Sequence, residues 1–148
     1  MSAPGRIAAA FASNGKSAAL MPYLMGGFPD VPVSLEAGLA AADAGADLVE
    51  LGIPFSDPLA DGPTIHAAAT HALSRGVTPG DVLGVCERLS ERLPVVLMVY
   101  ANLALQDGFT ERAAAAGASG LIVPDLPHDE AAGLRAACDE RGLALVPL

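Results

Sequence analysis

Basic residues are scarce in this sequence: 8 Lys and Arg stand against 17 Asp and Glu, a formal net charge of -9 over 148 residues. A field of that sign repels phosphate backbones, which argues against a general nucleic-acid surface or an anionic-membrane surface. A small phosphorylated ligand stays possible, because backbone N–H groups hold a phosphate locally. Cysteine is scarcer still. Cys86 and Cys138 form no CxxC pair and no disulfide framework, so a reducing compartment is the simpler expectation. A long apolar run is also missing. The opening MSAPGRIAAAF is too short in apolar residues for a secretory signal. The richest later run, Pro94 to Leu105, falls short of the roughly 20 residues of a membrane span and is broken by Asn102. A soluble cytoplasmic protein, with no nucleic-acid or membrane partner, is expected.

What is present is apolar. Hydrophobic residues make up 52% of the chain and charged residues 17%, so much of it must be buried in a core. The pattern predicts a short helix over about 4–14 with Ile7, Ala10 and Phe11 on one face, then a strand over 18–25 that contains Pro22. A helix follows from about Val33 to Ala44, closed by Gly45, and then a short strand over 47–51. Helices are expected over 64–74 and from Thr78, a cap ahead of Pro79 and Asp81, to about Arg92. Val95 to Tyr100 is continuously apolar, as a parallel strand covered on both faces should be, and Ala101-Asn102 ends it. A helix over about 109–116 and a strand over 120–123 come next. Asp125, Asp129 and Glu130 crowd the start of a last helix, which Gly142 closes before a strand over 143–146.

The chain also repeats. Ala44-Gly45-Ala46-Asp47-Leu48-Val49 recurs in kind as Ala116-Gly117-Ala118-Ser119-Gly120-Leu121, a spacing of two units of about 36 residues each. Helix, glycine, buried strand, with no hairpin signal between, points to parallel βα units. Five of them suit either an open doubly wound sheet or part of a closed barrel. No Gly-x-Gly-x-x-Gly follows the first strand and no Walker A sequence occurs, which disfavours a nucleotide-binding fold.

Chemistry concentrates in ELGIPFSDPLADGP, residues 50–63. Glu50 ends the second strand between Val49 and Leu51, where lost solvation raises a carboxyl pKa and suits it to acid work near neutral pH. Its bland alternative is a carboxylate paired with a loop N–H or a lysine. Asp61 sits in a backbone stiffened by Pro58, Gly62 and Pro63, which can aim it back over the strand ends as a fixed anion. Its alternative is helix capping, with Thr64 as competitor. Asp57 reads as a solvated turn residue. A divalent cation is disfavoured, because prolines and apolar side chains fill the spacing and His66 and His71 are five apart on a helix. His128 reads as a helix-start residue. Tyr100 and Asn102 close the third strand on the Glu50 face, as pocket residues or as core and turn residues, and Asp125 as a capping or site acid.

At this length the motifs carry a resemblance. ELGIPFSDPLADGPTI at 50–65, LMVYANL at 97–103 and LIVPDLP at 121–127 resemble the tryptophan synthase alpha chain family, and the likeness runs from about residue 4 to 148. It implies an α/β fold: the N-terminal part of a (β/α)8 TIM barrel, parallel strands one to five, with the C-terminal strands absent and residues 1–148 forming one incomplete barrel domain. It implies a lyase that splits indole-3-glycerol phosphate into indole and glyceraldehyde 3-phosphate. By matched position, Glu50 is the acid and base and Asp61 the carboxylate on the indole N–H. Tyr23 and Tyr100 are substrate-facing, and Pro54 and Asp57 lie in the loop that meets the beta chain. No metal or cofactor is expected in this chain. Pyridoxal phosphate belongs to the beta chain, the partner in an alpha2-beta2 tetramer.

Two departures from the family pattern stand out. Met25-Gly26-Gly27-Phe28-Pro29 lacks the acid of the usual Thr-x-Gly-Asp-Pro, and His66 replaces a common glutamine. The family's phosphate site and mobile sixth loop follow later strands, so the 148 residues alone are expected to have little activity. The competing expectations are a non-catalytic module that binds the beta chain through residues 54–63, and another phosphate-handling barrel isomerase.

Overall fold

The computed structural model describes residues 3–12 and 15–148. Helix α1 spans Ala3–Ala12, followed by β1 (Tyr23–Met25), α2 (Val31–Asp43), β2 (Val49–Gly52), α3 (Pro63–Ser74) and α4 (Pro79–Ser90). Then come β3 (Val95–Met98), α5 (Ala101–Ala104), α6 (Phe109–Ala115), β4 (Gly120–Ile122), a 3-10 turn at His128–Glu130, α7 (Ala132–Arg141) and β5 (Ala144–Val146). The strands form one sheet in chain order, and every neighbouring pair is parallel. Sequential order is how a (β/α)8 barrel winds; a doubly wound sheet reverses its order partway. The fold is therefore the first five strands' worth of a barrel.

The helix ends follow local chemistry. Asp30 accepts the Val33 N–H at the head of α2, and Thr78 and Asp81 cap each other's backbone at the head of α4. Gly45 and Gly142 turn the chain out of α2 and α7 at positive φ, where a Cβ is strained. At the head of α3 the cap position is Gly62, so neither Asp61 nor Thr64 caps that helix.

Some expectations need correction. The first strand is three residues, not eight: Pro22 has no N–H to give the ladder, and Leu20 and Met21 stay exposed. The third strand stops at Met98, because Tyr100 caps a short helix, α5, that periodicity did not foresee. Asp125 caps that helix instead of α7, accepting the Ala101 N–H at 2.8 Å. Along α1, Ile7 and Ala10 pack inward while Phe11 is exposed, and positions 13 and 14 of the expected helix lie outside the described residues.

Each strand divides its side chains between two clusters. Outward, Val49, Leu51, Val95, Leu97, Val99 and Leu121 pack beneath Val82, Val85, Cys86 and Leu89 of α4 and Phe109 of α6. Close helix packing here depends on Gly38, where an added Cβ would stand 2.7 Å from the Leu89 methyl groups. Inward, Leu48, Val96, Met98, Tyr100 and Ile122 meet Tyr23, Phe55, Val146 and the Ile7 and Ala10 face of α1. The two free cysteines are both buried, Cys86 in α4 and Cys138 in α7.

Candidate active site

The two-residue period of β2 sends Val49 and Leu51 outward and Leu48, Glu50 and Gly52 inward. Glu50 is half-buried, its backbone N–H bonded to Pro22 O at 3.0 Å. In the sheet register it lies between Tyr23 of β1 and Val96 of β3. One acid thus stands in an otherwise aromatic and aliphatic row.

The loop beyond β2 is pinned at three points. Ile53 N–H bonds Met98 O at 2.9 Å, extending the strand pairing past the end of β2. Phe55 lies against Tyr100 with ring centroids 5.0 Å apart, and Ala60 N–H donates to the Tyr100 hydroxyl at 3.1 Å. One buried tyrosine therefore holds both ends of the 55–60 segment. Asp61 follows directly, and this is what folds it back toward the strand ends.

The proximity has electrostatic consequences. Burial, and then the Asp61 carboxylate, push the Glu50 carboxyl above its ordinary range. Burial first, then Asp61, Glu50 and Tyr100, push the Tyr23 phenol well up. Tyr100 is raised as well, by burial and by Asp61, against the lowering effect of the Ala60 N–H. Glu50, Asp61, Tyr23 and Tyr100 thus form one electrostatic group. Such a group favours the protonated form of Glu50 over that of a free glutamate and sets it beside a second carboxylate.

The other candidates lie elsewhere. Pro54 is buried, whereas Asp57 is exposed and accepts the Ser56 hydroxyl at 2.8 Å. Leu59 projects from the same loop at 86% exposure. Asn102 lines a cleft of about 210 Å³ with Pro54, Phe55 and Gln106, which adjoins the Glu50 group through Tyr100. His66 is exposed on α3, and His71 donates from Nε2 to Pro29 O at 3.2 Å with its ring edge-on to Phe28. His128 sits beside Arg135. Among the described residues, no three His, Cys, Asp or Glu side chains converge as a metal would need. None of their helices is long and apolar enough to cross a membrane.

Two contributors escaped the sequence pattern. Phe55 was not a sequence candidate, and its value lies in a ring contact with a residue 45 positions on. Gly52 was not a sequence candidate, yet a Cβ there would fall 2.0 Å from the Tyr23 hydroxyl oxygen, so this glycine makes room for that phenol. Only the alternation Leu48, Glu50, Gly52 signalled it.

Comparison with known proteins adds an independent line. Residues 9–148 match the family model described as tryptophan synthase alpha chain. The tryptophan synthase alpha chain of Gloeobacter violaceus is 49% identical across 99% of this chain and 55% of its own length. That of a Synechococcus strain is 53% identical across 88% of this chain and 50% of its own. Among solved structures, an open form of tryptophan synthase from M. tuberculosis superposes with a TM-score of 0.90 at 41% identity, covering 99% of this chain and 60% of that one. An alpha chain from Legionella pneumophila gives 0.82 at 35% identity, covering 99% and 56%. The chain spans about half the length of the curated relatives it matches.

Proposed function

The chain belongs to the tryptophan synthase alpha chain family, and from that premise we propose that its site serves the cleavage of indole-3-glycerol phosphate to indole and glyceraldehyde 3-phosphate. The observation that carries the proposal is the pairing of Glu50, half-buried with a raised pKa, with Asp61 brought back beside it by the loop that Tyr100 holds.

The chemistry asks for that pair. The ring–carbon bond breaks only after the indole ring is protonated at C3, so an acid must hold a proton near neutral pH and deliver it to carbon. Glu50 is that acid, and once ionised it accepts the proton of the hydroxyl on the departing carbon chain. Asp61 takes a hydrogen bond from the ring N–H and supports the positive charge that grows there. The Tyr23 and Tyr100 rings supply the apolar walls for indole. The reaction is a retro-aldol carbon–carbon lyase step of tryptophan biosynthesis that needs no cofactor in this chain. Pyridoxal phosphate belongs to the beta chain.

The exposed part of the same loop, with Asp57 and the projecting Leu59, is the surface offered to the beta chain in an alpha2-beta2 assembly of the cytoplasm. Confinement of an apolar product gives that contact its purpose.

Glu50→Gln is the test, made in a barrel in which these residues are joined to the remaining βα units of a relative. Turnover of indole-3-glycerol phosphate is expected to fall by about 10²–10⁴-fold, the usual weight of a general acid–base group, with KM little changed. Turnover equal to the parent's would remove Glu50 from the chemistry. A parent that binds the beta chain without any turnover would instead make the chain a binding module.

A further inference from the structure

Tyr23 faces inward from β1 at the register position of Glu50. Its hydroxyl is closed off from solvent and has no hydrogen-bond partner. Leaving a buried phenol unpaired costs folding free energy, so an orphan of this kind calls for an explanation. Accidental crowding does not supply one, because the space is prepared from the neighbouring strand. Gly52 stands two residues beyond Glu50 on the same inward face, and a methyl group there would come within 2.0 Å of the phenol oxygen. The tyrosine therefore lies across β2, toward the strand ends where Asp61 arrives.

The surrounding groups decide what the hydroxyl can do. The charges that bear on it are Asp61 and Glu50, with the Tyr100 phenol as a third influence, and with burial they keep it protonated. A protonated phenol between acids is a hydrogen-bond donor. Neither carboxylate takes that bond, and the Tyr100 oxygen already accepts the Ala60 N–H. The acceptor position of the Tyr23 hydroxyl is therefore unfilled by any described residue.

Resting on the function proposed above, we infer that Tyr23 donates its O–H to the substrate oxygen whose proton Glu50 removes, the hydroxyl on the carbon joined to the indole ring. In that step the ring already carries the added proton at C3. The hydroxyl proton passes to the Glu50 carboxylate, and the O–H electron pair becomes the second bond of the aldehyde C=O. The ring–carbon bond breaks, and its electron pair returns to the ring and cancels the positive charge at the nitrogen. Electron density builds on the oxygen between loss of the proton and closure of the C=O. A fixed donor aimed at that atom lowers the barrier, and the phenol itself transfers no proton. Tyr23 is then a third catalytic residue, and Gly52 is the residue that admits it.

Two variants in the completed barrel test this. Tyr23→Phe keeps the ring and deletes the donor, and Gly52→Ala keeps the donor and displaces it. Both are expected to lower kcat for indole-3-glycerol phosphate by about 10–100-fold; in Tyr23→Phe KM should change less than about twofold, the signature of a contact made only in the transition state. Binding of indole, which has no hydroxyl, is expected to stay within about twofold of the parent in Tyr23→Phe, which keeps the ring wall, and to weaken in Gly52→Ala, which moves it. A Tyr23→Phe enzyme with the parent's kcat, or one whose loss is matched by weaker indole binding, overturns the inference and leaves the proposed lyase function standing. A parent barrel that does not cleave the substrate at all overturns both.

Discussion

Val49 and Glu50 are consecutive residues of one strand, yet they face two different environments. The outward face of the sheet is dry and continuous: Val49, Leu51, Val95, Leu97 and Leu121 are all fully buried against the helices. The inward face mixes aliphatic side chains with Tyr23, Glu50 and Tyr100, and it contains a buried hydroxyl without a partner. The outward side also holds one buried hydroxyl without a partner, Ser119 at the head of β4, so what sets the inward face apart is an acid and two phenols placed together. The difference locates function more sharply than any single motif, because a carboxyl held above its ordinary pKa and an unpaired phenol are both unfavourable in a resting structure.

The comparison can be broken most forcefully from the outward side. Leu97→Ala removes a side chain packed on every side in the sheet–helix layer, and the completed barrel is expected to lose about 2–5 kcal/mol of stability in urea unfolding. Turnover per folded molecule should be unchanged, since the residue faces away from Glu50. A loss below about 1 kcal/mol would mean that the outer layer is not the close-packed half.

A smaller effect sharpens the inward half. Tyr100→Phe keeps the ring contact with Phe55 and deletes the acceptor for the Ala60 N–H. The loop should loosen by about 0.5–1.5 kcal/mol, read as faster amide hydrogen exchange at Ala60 and as a comparable loss in kcat through a less fixed Asp61. Unchanged exchange at that amide would separate Asp61 from the tyrosine that is argued to hold it.

The smallest effect concerns pH. Burial and Asp61 raise the Glu50 pKa in the folded chain, whereas unfolding returns it toward 4.5. The folded state therefore binds that proton more tightly, and ionising Glu50 costs stability as pH rises from the unfolded value through the folded one. Below 4.5 both states are protonated and the cost is absent. Glu50→Gln should accordingly raise Tm above neutral pH and match the parent in acid, measured by calorimetry. A difference that grows toward acid would contradict the assigned direction.

Much of this was legible beforehand. Local chemistry announced its own elements: Thr78, Pro79 and Asp81 began a helix, and Gly45 and Gly142 closed two. Glu50 was legible because an acid at the end of an apolar strand is rare enough to notice. Less legible were features that depend on a neighbour distant in sequence. Asp125 was expected among the acids heading α7, but its carboxylate reaches the Ala101 N–H, a preference no local pattern encodes. The short helix α5 follows from that capture and from Tyr100 at its cap.

From its sequence alone this protein was bound to form alternating helices and parallel strands, with an acid at the second strand end and a stiff loop after it, because capping, periodicity and proline geometry act over a few residues. Where Asp61 comes to rest was settled only in three dimensions, through a ring and a hydroxyl that Tyr100 supplies from the next strand unit. The same holds for the Tyr23 phenol, which crosses to the neighbouring strand because Gly52 lacks a side chain there. Such contacts join positions far apart in the chain, and they exist only once the sheet sets its register.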